Sequence, residues 1–212
     1  MKKNLFYSLF TALCLVAVCG VFAACGGDDD DPVTPGGGGS ETKVSQATFT
    51  YGIVINKDIP NVSDLTVTLT PSTGTPVTKT LTAANGKLAT NMSVIEKLIF
   101  ESLIGEGDSR ADYYIYTIPV TVKDFPATIK VSYQWNTKSD VKLDETAKYT
   151  VSLGSGYYAL TNTNQSVNSS GSLQTTRTSG KMLPQLLPTM AKNNYNTYTL
   201  SVSDNELSVY KN

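Results

Sequence analysis

The chain has 212 residues with 17 basic and 18 acidic side chains, a formal charge of −1, and no histidine. Histidine-based triads and histidine-ligated metal centres are excluded, and the even charge lacks the clustered basic surplus of a nucleic-acid binder. The three cysteines, Cys14, Cys19 and Cys25, all lie at the N-terminal end, so the remainder can form neither a disulfide nor a thiolate site.

Met1-Lys2-Lys3 is a short positive region, and the apolar stretch from about Leu9 to Ala24 ends in small residues before Cys25. This pattern predicts a cleaved secretory signal over residues 1–24. A retained membrane anchor is the lesser reading, because Asn4, Ser8 and Thr11 interrupt the upstream half. Residues 25–43 are rich in Asp, Gly and Pro without apolar periodicity, which predicts a flexible tether reaching roughly 25 Å. Asp28 to Asp31 read as a solvated charge run. They lack the glycine-turn spacing of a calcium loop, so no metal or other cofactor is expected.

Phe22-Ala23-Ala24-Cys25 resembles a bacterial lipobox, and Gly26-Gly27-Asp28-Asp29-Asp30-Asp31 resembles the acidic export signal of Bacteroidota surface lipoproteins. The resemblance implies acylation of Cys25, attachment to the membrane through that lipid, and transport to the outer face of the outer membrane. It covers the first 31 residues and says nothing about the domain behind them.

Residues 44–212 read as one domain, nearly neutral once Lys2, Lys3 and the tether aspartates are set aside. Strict alternation marks Phe49, Tyr51, Ile53 and Ile55, then Leu65, Val67 and Leu69 against Thr66, Thr68 and Thr70. Asn85-Gly86 predicts a hairpin between TKTLTAA and KLAT. Val94, Ile95, Leu98, Ile99 and Leu103 recur at helical spacing after a Ser93-x-x-Glu96 capping box. A helix is expected at about 93–104, ended by Gly105, crossing between sheets or covering an open end.

Tyr114 to Val122 and Ala127 to Trp135 give two further alternating faces, and the short Lys123-Asp124-Phe125-Pro126 link predicts that they pair as a hairpin. Pro119 places the first of them at an edge or a bulge. Tyr149, Val151 and Leu153 precede a Gly154-Ser155-Gly156 interruption, after which Tyr158 and Leu160 resume. Residues 161–180 are polar and pattern-free, which predicts disorder. Met182 to Met190 is apolar but holds Pro184 and Pro188, so one helical turn at most is expected, as a plug on the sandwich edge or a partner-binding patch. The chain closes with Tyr198, Leu200 and Val202, a Ser203-Asp204-Asn205 turn, and Leu207 and Val209. The sum is a mostly β chain: an antiparallel β-sandwich, Ig-like or transthyretin-like, with one short helix.

Such a domain points to a non-catalytic binding or structural module. Aromatic rings on a β surface stack on sugars, so Tyr113, Tyr114, Tyr116, Trp135, Tyr157 and Tyr158 are candidate ligand-binding residues for a glycan. Consecutive tyrosines on a strand face opposite sides, so one of each pair belongs to the core. An adhesion or envelope-assembly subunit with a cell-surface protein partner is the alternative. Glu106, Asp108 and Asp112 gather three carboxylates around Arg110, but the spacing nominates no catalytic pair, and no enzyme is expected.

Overall fold

The structure, a computed structural model, describes residues 43–104, 110–169, 173–193 and 196–212. The expected signal, Cys25, Gly26, Gly27, Asp28 to Asp31 and Gly105 lie outside these residues. Among the described residues the strands are β1 (Gln46–Asn56), β2 (Ser63–Pro71), β3 (Val77–Leu81), β4 (Lys87–Leu88), β5 (Tyr113–Lys123) and β6 (Ala127–Thr137). They continue with β7 (Lys148–Thr161), β8 (Ser166–Asn168), β9 (Gln174–Ser179), β10 (Thr197–Ser203) and β11 (Glu206–Lys211). The helices are α1 (Ile59–Val62), α2 (Val94–Ile104) and α3 (Leu183–Asn193), in place of the single helix expected.

Two antiparallel sheets form, one in the order β4-β5-β1-β7 with β8 and β9 sharing the far edge of β7, the other β11-β10-β6-β2-β3. They do not close into a barrel, and the expectation of a β-sandwich holds. Their facing sides carry the alternating residues read from the sequence: Phe49, Tyr51 and Ile53 from β1, Leu65 and Val67 from β2, Ile129 and Val131 from β6, all fully buried. On the outer side of β2 and β3 the threonines pair across strands, Thr66 with Thr80 at 3.0 Å and Thr68 with Thr78 at 2.9 Å. The closing hairpin also forms as read, with Asp204 and Asn205 at φ 50 and 64 between Ser203 and Glu206.

Both predicted internal hairpins are instead crossovers between the sheets. β3 pairs with β2 while β4 pairs with β5, and the Asn85 region winds into a 3-10 turn. Thr82 and Asn85 close a capping box on that turn, and Gly86 has φ −72, so the positive dihedrals of a two-residue hairpin are absent. Glycine serves here for close approach, since a Cβ would stand 2.7 Å from the Tyr116 hydroxyl and 2.8 Å from the Tyr114 ring. Likewise β5 pairs with β1 and β6 with β2, so Lys123 to Pro126 carries the chain from one sheet to the other. Asp124 makes that corner with φ 60. Turn chemistry permits a reversal, but it does not say whether the reversing strands stay in one sheet.

Pro119 stands where the sequence put it, at an edge: β4 covers β5 only at Tyr114 and Ile115. The glycines of β7, by contrast, do not interrupt it, and the strand runs unbroken for 14 residues. Gly156 lies opposite Gly52 of β1, and together they leave a shallow floor on the outer face of the sheet. Helix α2 packs there, with Ile99 so close that a Cβ on Gly52 would meet its Cγ2 at 2.6 Å. The capping box formed as expected, Glu96 N–H to Ser93 Oγ at 3.4 Å and Ser93 N–H to Glu96 Oε2 at 2.6 Å. The helix covers a sheet face rather than an open end, and buries Ile99, Phe100 and Leu103 against Val54 and Ile115.

Residues 161–180 are not a long disordered loop in their described part. β8 and β9 both pair with β7, so the polar residues serve an edge strand whose side chains need no core face. Met182 to Met190 does not stop at one turn: α3 continues to Asn193 with Pro188 inside it. Leu183, Leu187, Met190 and Ala191, at helical spacing, are buried and hold it. The plug reading of this segment stands, in helical form.

Candidate functional site

Alternation and α2 together decide where the candidate tyrosines go. Tyr116 and Tyr157 are on the inner face, 2% and 8% exposed, so neither offers a ring to a sugar, and the expectation for these two is corrected. Tyr114 is half-buried beside Tyr116, their ring centroids 6.2 Å apart. Tyr113 and Tyr158 are the outward members of their pairs, but both pack under α2, Tyr113 against Phe100 at 6.1 Å. No flat platform of these rings forms on the described surface.

Several tyrosines instead build the core. Phe49 is ringed by Tyr51, Tyr157 and Tyr198 at centroid distances of 6.4, 5.3 and 5.2 Å, and the Tyr51 and Tyr133 hydroxyls hydrogen-bond to each other. Burial pushes the phenols of Tyr51, Tyr133 and Tyr198 well above their ordinary range, and the neighbouring phenols add to this for Tyr51 and Tyr198. An acid whose folded pKa is raised favours the fold while neutral. That contribution is complete below about pH 10, where unfolded tyrosine titrates, and is lost as pH rises toward the folded values. Urea midpoints measured from pH 8 upward should therefore be level to about pH 10 and then fall, and fall less steeply in Tyr133→Phe. Equal alkaline slopes in the two proteins would show that Tyr133 is not part of the linkage.

The carboxylate cluster does not assemble into a reactive pair among the described residues. Arg110 binds Glu101 of α2 at 2.8 Å, and Asp112 meets Lys57 at 3.4 Å. Glu106 and Asp108 lie outside the described residues.

The remaining candidate, Trp135, lines a groove of about 370 Å³ with Tyr133, Gln134, Pro188, Ala191 and Lys192. One wall is the end of β6, where Tyr133 and Trp135 continue the inner-face series beyond Val131. The other is the last two turns of α3, whose Ala191 and Pro188 keep it low, with exposed Lys192 at the rim. The Trp135 indole nitrogen is buried without a hydrogen-bond partner among the described residues. Sequence reasoning found Trp135 but missed its companions. The signal was present in Leu183, Leu187, Met190 and Ala191, whose spacing is helical despite the prolines.

The groove offers an aromatic floor, an amide, a cation and strand backbone, the kinds of group by which a pocket orients a ligand. No protein-family model, no curated protein and no solved structure matches the chain.

Proposed function

We propose that the protein is an outer-membrane lipoprotein, anchored through acylated Cys25 and facing the cell exterior, whose β-sandwich is a non-catalytic binding module with its site in the groove between β6 and α3. The observation that carries the binding site is that the single tryptophan of the chain lines the groove, whereas the candidate tyrosines are committed to packing. The lack of histidine, and of any cysteine beyond Cys25, supports the non-catalytic reading. The lipobox-like Phe22 to Cys25 and the acidic run after it support the anchor and the outward address.

Two measurements test this. In a Bacteroidota host fed labelled palmitate, the wild-type chain should take the label and be cut by protease added to intact cells, and Cys25→Ser should lose the label and leave the membrane fraction. The full chain and Trp135→Ala, each shown folded by its thermal transition, are then compared on glycan and peptide arrays. Loss of binding in the variant supports the groove. Undiminished binding by Trp135→Ala would move the site elsewhere.

A further inference from the structure

β6 lies inside its sheet, but from Tyr133 onward its side away from β2 has no partner strand among the described residues. In an antiparallel ladder the N–H and C=O groups of alternate residues point to opposite sides of the strand. Lys138 N–H bonds the Val62 carbonyl at 3.1 Å in register with the ladder between β2 and β6, which turns the even-numbered residues of β6 toward β2. The odd-numbered residues point the other way, and Val131 N–H accordingly meets the Asn196 carbonyl at 2.9 Å. The pairing with β10 stops at that point, its Thr197 standing opposite Lys130. Tyr133 and Trp135 therefore direct their backbone groups to the side where α3 runs, and no hydrogen bond to those groups is formed there among the described residues.

Two other edges of the sandwich, on β5 and β11, are blocked. On β5 the outward groups include Pro119, which has no N–H, and the Thr117 carbonyl, which accepts from Lys79 Nζ at 3.2 Å. On β11 the Leu207 N–H donates to Gln165 Oε1 at 3.2 Å, and the Val209 carbonyl accepts from the Tyr157 hydroxyl at 3.4 Å. These are ways a sheet avoids pairing with foreign strands. On β6 from Tyr133 onward no proline or side-chain hydrogen bond takes up the outward backbone groups among the described residues; α3 flanks this stretch, and the groove opens between the two.

We infer that the groove receives an extended polypeptide segment of another protein, which adds to β6 as a strand beside Tyr133 to Thr137 and carries an acidic residue opposite Lys192. Main-chain hydrogen bonds hold such a strand, and side-chain pockets choose it. The five residues of this edge span about 13 Å, enough for a short segment. Lys192 supplies charge complementarity: it is exposed in the last turn of α3 and forms no ion pair among the described residues. The inference rests on the groove being the binding site, as proposed above.

The test uses the full chain in detergent and a synthetic peptide of about ten residues, alternating valine and threonine around one glutamate. Amide exchange is followed residue by residue by NMR. The Tyr133 and Trp135 amides should slow by about tenfold or more on saturation, while the Gln134 amide, already in the ladder with β2, should not change. Methylating alternate peptide nitrogens should abolish binding in one register and spare it in the other. Lys192→Glu should weaken binding about two- to fivefold, and a lysine-bearing peptide should recover it. Peptide binding without slowing of those two amides overturns the strand addition. Trp135-dependent binding of a glycan with no binding of peptide also overturns it, yet leaves the groove as the site. Absence of any Trp135-dependent binding overturns both readings.

Discussion

Phe49→Ala should destabilise the domain by about 3–5 kcal/mol, the range for removing a large aromatic from a packed interior. Phe49 is 0% exposed and sits near the middle of β1, the strand that joins β5 on one side and β7 on the other. Its ring touches tyrosines from both sheets, Tyr157 of β7 and Tyr198 of β10. Deleting it opens a cavity at the place where the sheets meet, and the rigid strands around it can collapse only partly. Total stabilities of domains are about 5–15 kcal/mol, so this one change consumes a large share. Urea unfolding of the folded fraction reads the loss directly. An exposed control, Thr70→Ala, should stay within about 0.5 kcal/mol of wild type. If Phe49→Ala also stayed within that margin, the two sheets would not be closing on this ring.

The sandwich was legible because each long strand turns one face to the core between the sheets, and that face writes period-two alternation into the chain. Phe49 to Ile55 and Ala127 to Val131 show it without ambiguity. Connections were harder to read. Asn85-Gly86 and Asp124 carry turn residues, but a corner between sheets and a hairpin within one ask for the same residue types. The glycines of β7 misled for a different reason: their role depends on Ile99, which is distant in sequence and visible only once α2 lies on the sheet. Tyrosine exposure fell between these cases. Alternation split Tyr113 from Tyr114 and Tyr157 from Tyr158 as expected, yet the outward members are covered by a helix whose docking face the sequence does not announce. The groove was half legible. Trp135 follows from its rarity, while Pro188, Ala191 and Lys192 depend on a helix that the prolines appeared to forbid.

That helix yields the second large effect. Proline in a helix interior lacks the N–H that would bond the carbonyl four residues earlier, here that of Pro184, and costs about 3 kcal/mol relative to alanine. Pro184 itself costs little in the first turn, where the N–H groups are unpaired in any helix. With Pro188 against it, α3 must be held by what it buries: Leu183 and Leu187 at 1% exposure, Met190 at 4% and Ala191 at 3%. Leu187→Ala should then cost about 2–5 kcal/mol. Because the helix has little stability of its own, the loss should appear first as local opening, with amide protection falling in α3 before it falls in β1 or β7. Pro188→Ala should act the other way: the residue is exposed, so little packing is lost and a backbone hydrogen bond is gained, raising stability by about 1–3 kcal/mol. Combining the two should recover part of the Leu187→Ala loss. Should Leu187→Ala prove silent while Pro188→Ala destabilises, the proline would be bracing the helix and the burial argument would fail. The expected order of effects means that the groove wall beside Trp135 is positioned by the side chains α3 buries, so substitutions in the core beneath α3 should alter binding at the groove without touching a lining residue.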